Sequence, residues 1–353
     1  MTPRPHPERT ASAARRAPLV GVMLAMLASC DPDPVQTDVD QDTDAPTAAL
    51  TWSVHRDADP LGMFMSAWGT GASDVWIVGG QPDEGVLLRG GPGGLDPIDL
   101  PEGTPMLNWV HGTSASDVWL AGLRGTLLHW DGSTFTSHSQ DVPEAFWGVH
   151  AAEGQVLAVG GPFRAEGQQP ILYHHDGTEW ASLPIPSELS PSGLFKAHHD
   201  GSLFQVVGAE GTALSVAHDG TTAPVATGTG IDLITLHRAE GDAGSRLIAV
   251  GGRATGILME HDGTRWNLLD EAFTGLSGVH DLGDGQVVAV GERGLTVHYN
   301  RTTGALTDNL QSPTLDLLHA VWVAPSGLAW AVGGNFYTSG DFRGVVLHGE
   351  LAP

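Results

Sequence analysis

Apolar residues fall along most of the chain in short strand-length runs, set between polar stretches and broken every few positions by Gly, Asp, Asn or Pro. From residue 62 onward the runs assemble into a unit. An apolar strand is followed by a short polar loop, a second strand ending in Val-Gly or Ala-Gly, a third strand, an Asp-Gly pair, and a fourth strand beginning near Trp or Phe. The second strands read SDVWIVGG (73–80), SDVWLAG (116–122), GQVLAVGG (154–161), GSLFQVVG (201–208), SRLIAVGG (245–252), GQVVAVGE (285–292) and GLAWAVGG (327–334). β-Branched and aromatic residues fill them, and Gly recurs too often for a helical repeat.

The glycine closing each second strand (Gly79, Gly122, Gly160, Gly208, Gly251, Gly291, Gly333) returns at steps of 38 to 48 residues. Seven units of about 42 residues with four short strands each predict an all-β, seven-bladed β-propeller. The seventh unit ends after its third strand, GVVLHGE (344–350), while LTWSVHRDADP (50–60) matches the fourth strands STFTSHSQDVP (133–143) and TEWASLPIP (179–186). Residues 50–56 are therefore expected to supply the outer strand of the last blade and close the ring, with Trp52 in the place of Phe135, Trp180 and Trp266. The pairs Asp131-Gly132, Asp176-Gly177, Asp219-Gly220 and Asp262-Gly263, with Asn300 in the sixth unit, are expected as type I′ hairpin turns.

Upstream of the repeats, Arg4, Arg9, Arg15 and Arg16 precede an apolar run, Leu19 to Ala28, that is too short to span a bilayer. This predicts a signal peptide over residues 1–29. Leu27-Ala28-Ser29-Cys30 resembles the lipobox of bacterial lipoproteins, which implies cleavage before Cys30 and lipid attachment to its thiol. Cys30 is the only cysteine, so no intrachain disulfide can form. Asp31 after it resembles the inner-membrane retention signal of enterobacterial lipoproteins, a rule that differs between bacterial groups. The expected address is the cell envelope, at the outer membrane or cell surface. Residues 30–49, rich in Pro and Asp, read as an extended acidic tether before a propeller over 50–353. Asp38, Asp40, Asp42 and Asp44 alternate as in a calcium loop, but the Gly and Glu such a loop requires are missing.

Removing residues 1–29 takes away four Arg and one Glu, leaving 12 basic and 40 acidic residues and a net charge near −28. So acidic a body repels nucleic acid and anionic headgroups. Nucleic acid is excluded as a partner, and membrane contact is expected only through the lipid.

The runs DGSTF, DGTEW and DGTRW resemble in part the Asp-Gly-x-Thr-Trp run of the Asp box of BNR-type propellers, the first keeping its Thr and aromatic and the other two the aromatic alone. The leading Ser or Thr of that box is replaced here by His129, His174, Ala217 and Glu260. The blades as a whole resemble the Trp-rich SDVWLVG repeats of surface lipoproteins in myxobacteria and related bacteria. Both resemblances bear on fold, and the first implies that the Asp box is a folding element away from the active site.

Five units carry His near the end of the first strand (His111, His150, His198, His237, His280), where the other two carry Trp68 and Trp322. First strands line a propeller's channel, so these side chains are expected to ring the axis. Packing explains the exchange with Trp, whereas imidazoles protonated below about pH 6.5 would bind an anion. A second series (His129, His174, His175, His218, His261, His298, His348) precedes the Asp-Gly turns and reads as structural. The loops between second and third strands carry Arg124, Arg164, Arg253, Arg293 and Arg343, with Tyr337, Phe163, Phe336 and Phe342 in the longest of them. This face, which also holds the carboxylates of the blade connections, is the candidate surface for a protein or glycan ligand. A sialidase-like enzyme would need a Tyr nucleophile, and of Tyr173, Tyr299 and Tyr337 only the last, with Asp341 and Arg343, lies on that face. No zinc spacing, phosphate loop or nucleophile elbow is present. The expectation is a noncatalytic, monomeric binding or scaffold propeller, with envelope assembly as the alternative setting and neither metal nor cofactor.

Overall fold

The computed structural model describes residues 50–162, 168–238, 246–283, 285–309, 312–335 and 341–351. The leader, Cys30 and the tether lie outside them. The described residues form seven four-stranded antiparallel sheets, each the blade of a β-propeller: 63–97, 107–137, 145–182, 194–225, 233–273, 276–309, and a last one that joins Leu50–Asp59 to the strands of 317–351. The closing strand pairs antiparallel with Arg343–Leu351, Trp52 opposite Gly349 and Leu50 opposite Leu351. It runs to Asp59, three residues beyond the expected end.

The second strands read as unbroken apolar runs because both of their faces are buried, one against each neighbouring blade. In Asp74–Gln81, Val75 and Ile77 pack toward blade 7 while Trp76 and Val78 pack toward blade 2. Asp117–Gly122 repeats this division, with Val118 and Leu120 facing blade 1 and Trp119 and Ala121 facing blade 3. The core is thus a set of interfaces between adjacent blades. Leu50 and Trp52 complete the interface of blades 6 and 7 beside Val288, Val290, Val345 and Leu347.

Every first strand carries one extra residue near its start, where the register to the second strand slips: Met65, Asn108, Trp147, Phe195, Ile234, Ser277 and His319. The repeated glycines sit against these bulges. A Cβ at Gly79 would lie 2.0 Å from the Met63 carbonyl oxygen, one at Gly160 1.9 Å from that of Ala145, and one at Gly333 1.8 Å from that of Leu317. No side chain fits there.

The Asp-Gly turns differ from the expected type I′. Gly132, Gly177, Gly220 and Gly263 have positive φ, but the aspartates before them do not. The turns are wider, and each carboxylate caps them. Asp131 Oδ1 accepts from the amides of Ser133 and Thr134, Asp176 Oδ1 from Thr178 and Glu179, and Asp262 Oδ1 from Thr264 and Arg265. Asn300 does the same for Thr302 and Thr303 with its amide oxygen, which is why Asn substitutes in blade 6. The aspartates therefore act through an acceptor oxygen, and φ > 0 is needed only at the glycine.

Candidate binding site at the channel mouth

The antiparallel order puts the blade connections and the loops between second and third strands on one face, and the remaining turns on the other. The bulges lie at the start of the first strands, so they surround the channel where it opens on the connection face. Trp147, Phe195, Ile234, Ser277 and His319 are all partly exposed there. Trp147 packs on a cluster of Met63, Met65, Met106 and Leu317 that lies beneath the connections of four blades.

Two cationic or titratable side chains stand within this ring, whose apolar members are Trp147, Phe195 and Ile234. Lys196 follows the blade 4 bulge, and its Nζ donates to the Trp147 carbonyl at 2.6 Å and lies 4.3 Å from the centre of the Trp109 ring. It bridges blades 2 and 4 across Gly148, where a Cβ would lie 3.0 Å from Lys196 Cα. Burial, at 3% exposure, lowers the ammonium to a pKa of about 7. His319, from blade 7, donates through Nδ1 to the Met65 carbonyl at 2.7 Å, and burial, then the charge of Lys196, lowers it to about 4. The one resolved donor bond of Lys196 goes to a bulge carbonyl. The mouth therefore offers an apolar rim around a sparsely partnered amine.

Toward the opposite face the channel is filled by the five predicted histidines. His111 and His150 stack at 3.7 Å between ring centres, His150 and His198 approach to 4.2 Å, His198 and His237 to 5.1 Å, and His237 and His280 to 4.1 Å. Three of them accept a backbone N–H from the next blade: Ala151 to His111 Nδ1 at 3.1 Å, Arg238 to His198 Nε2 at 3.4 Å, and Asp281 to His237 Nδ1 at 3.1 Å. The indole of Trp68 covers Gly112, and that of Trp322 covers Gly69. Burial holds His111 and His280 at about 3, His198 at about 4, and His150 and His237 well below 6.5. The rings are neutral at pH 6.5, so the positive charge an anion would need is absent there.

Arg124, Arg253, Arg293 and Arg343 are exposed on the connection face. Arg124 pairs with Asp83 and Arg253 with Asp232 at 3.7 Å. Arg124 and Arg293 sit in left-handed turns, with φ of 56° and 57°. Arg343 begins the third strand of blade 7. Arg164 and Tyr337, with Phe163 and Phe336, lie outside the described residues. The arginines thus stand at the periphery and two are paired locally, whereas the bulge residues stand at the axis. Sequence reading passed over the latter because a bulge has no motif. One signal was present: Lys196 is the only lysine of the chain, and it interrupts an apolar strand, LFKAHH.

The turn-side histidines have local partners. His129 Nε2 is 2.8 Å from Asp117 Oδ1 and stacks on Trp119 at 4.3 Å, His174 meets Gln155 at 3.2 Å, and His348 meets Ser53 at 3.0 Å. Tyr173 and Tyr299 pack into interfaces between blades.

No protein-family model and no curated protein sequence matches the chain. Solved structures match its fold. YCF48 bound to D1 peptide aligns with a TM-score of 0.61 at 13% identity, covering 86% of this chain and 97% of that one. The structure of U3-55K aligns at 0.63 and 11%, covering 85% and 98%. The WD40 β-propeller domain of Doa1 aligns at 0.60 and 14%, covering 84% and 96%. At such identities the likeness concerns the propeller architecture.

Proposed function

We propose that the protein is a noncatalytic binding propeller that takes a peptide segment of a protein partner at the channel mouth on the connection face. The observation that carries this reading is the ring of partly exposed bulge residues, Trp147, Phe195, Ile234 and His319, around the buried amine of Lys196. An apolar rim with few convergent polar groups is the usual make-up of a recognition site, and apolar or aromatic anchors dominate the energetics of interfaces. A similar propeller solved with a bound peptide supports a peptide over a sugar. The acidic surface outside the mouth selects against nucleic acid.

The setting we propose is extracytoplasmic, with lipid on Cys30 and residues 31–49 as the tether. Its support is the leader and lipobox resemblance in the sequence. Metabolic labelling with a tagged palmitate tests it: wild type takes up label, Cys30→Ser does not, and label retained by the variant overturns the anchor.

Affinity capture from an envelope extract tests the site. Wild type is expected to enrich a protein partner at least tenfold over the Trp147→Ala/Phe195→Ala variant, while Arg124→Ala retains capture. Equal capture by both mouth variant and wild type, or binding only on a glycan array, refutes the peptide site. An assembly partner in the envelope would be identified by the same capture.

A further inference from the structure

On the turn face, remote from the channel mouth, the interface of blades 3 and 4 brings together three side chains from separate segments. Glu153 comes from the loop between the first and second strands of blade 3, held at φ 53°. His199 ends the first strand of blade 4, and His218 lies in the turn between its third and outer strands. Their ligand atoms all fall within 4.8 Å of one another. His199 Nε2 and His218 Nε2 face each other at 3.1 Å, and His218 Nε2 is 3.4 Å from Glu153 Oε2.

The Gly201 amide donates to His199 Nδ1, so the neutral His199 ring carries its proton on Nε2 and aims it at His218 Nε2, whose lone pair then also faces the Glu153 carboxylate across 3.4 Å. A metal ion removes the conflict, since it takes a lone pair from both nitrogens and from the carboxylate. The spacing suits this. Zn–N bonds of 2.0–2.1 Å at tetrahedral angles put ligand atoms about 3.3 Å apart, between the two distances observed here. The surroundings hold the ligands in place: Gln155 donates to the His218 carbonyl at 3.1 Å and meets His174 Nε2 at 3.2 Å, which ties the blade 3 loop to the blade 4 turn. Coordination through His199 Nε2 requires its proton to reside on Nδ1, at the expense of one long bond, 3.3 Å, from the Gly201 amide.

We propose that Glu153, His199 and His218 form a site for one first-row divalent cation, Zn²⁺ by ligand type, that staples blade 3 to blade 4. Two imidazoles and a carboxylate are borderline ligands suited to such ions. His199 is buried, whereas Glu153 and His218 are exposed, so ions can enter and the outer coordination positions face water. The ligands come from three separate turns, 46 and 19 residues apart in sequence, which is why no metal-binding spacing appears.

The test is equilibrium dialysis of the tag-free full chain against Zn²⁺, paired with thermal melts with and without chelator. One ion per chain is expected to bind, with a melting temperature raised by Zn²⁺ and restored by EDTA. Glu153→Gln and His218→Ala should each weaken binding at least tenfold, and His129→Ala, on the third strand of blade 2, should leave it unchanged. Co²⁺ substitution should give visible d–d bands that His218→Ala abolishes. No saturable binding, or equal binding by wild type and Glu153→Gln/His218→Ala, overturns the site. Because the mouth lies on the other face, loss of peptide capture by Trp147→Ala/Phe195→Ala leaves Zn²⁺ binding intact.

Discussion

Removing the Trp52 side chain weakens the ring at the one blade built from both ends of the described chain. Trp52 is 8% exposed, packs with Val345 and Leu347 of its own blade and Val288 and Val290 of the next, and lies so close to Gly349 that a Cβ there would be 2.9 Å from its indole. A buried Trp replaced by Ala costs about 3–5 kcal/mol. A cooperative unit of about 300 residues has an unfolding entropy of about 0.6 kcal/mol/K, so about 4 kcal/mol corresponds to a fall of about 6 °C in Tm. Leu50→Ala, at 4% exposure, should add a further loss of about 3–5 °C. Val54 sits on the same strand but is 43% exposed, and Val54→Ala should move Tm by less than about 2 °C. Calorimetry at one scan rate on the three variants reads all of these. A Trp52→Ala shift below about 2 °C, or one no larger than that of Val54→Ala, refutes closure as a source of stability.

Gly333→Ala places a Cβ 1.8 Å from the Leu317 carbonyl, so the bulge must shift, and a loss of about 2–3 kcal/mol should appear in denaturant melts; an unchanged midpoint contradicts the tight contact. Asp131→Asn, which keeps an acceptor oxygen but not the charge, should melt between wild type and Asp131→Ala, and equal melting of all three removes the cap from the account. The axial histidines set an acid limb. Their folded pKa values are depressed, so below about pH 6.5 the unfolded chain binds protons that the folded ring refuses, and stability falls with pH until about 3–4. Each such ring removes up to about 2 kcal/mol between pH 7.5 and 5. A Tm flat over that range contradicts neutral, buried rings. The depressed carboxyls of Asp131, Asp176 and Asp262 act lower, their stabilisation being present above about pH 4 and lost as the pH falls further.

The linear sequence determined what repeats. Short apolar strand runs, glycine at fixed steps and the displaced strand expected at 50–56 settle blade count and closure, because each depends on local pattern and on the need to pair edges. The same signals located the axial histidines, since equivalent positions in a ring are equivalent in space. What only the tertiary structure decided is what the repeats leave unequal. The marker glycines were visible, but their cause, a bulge pressing a carbonyl against each Cα, was not. Nor was the consequence that Trp147, Phe195 and Ile234 gather at one opening around Lys196. Glu153, His199 and His218 read singly as loop, strand end and turn. Their proximity arises from the packing of one blade on the next, a relation between residues that no periodicity along one chain encodes.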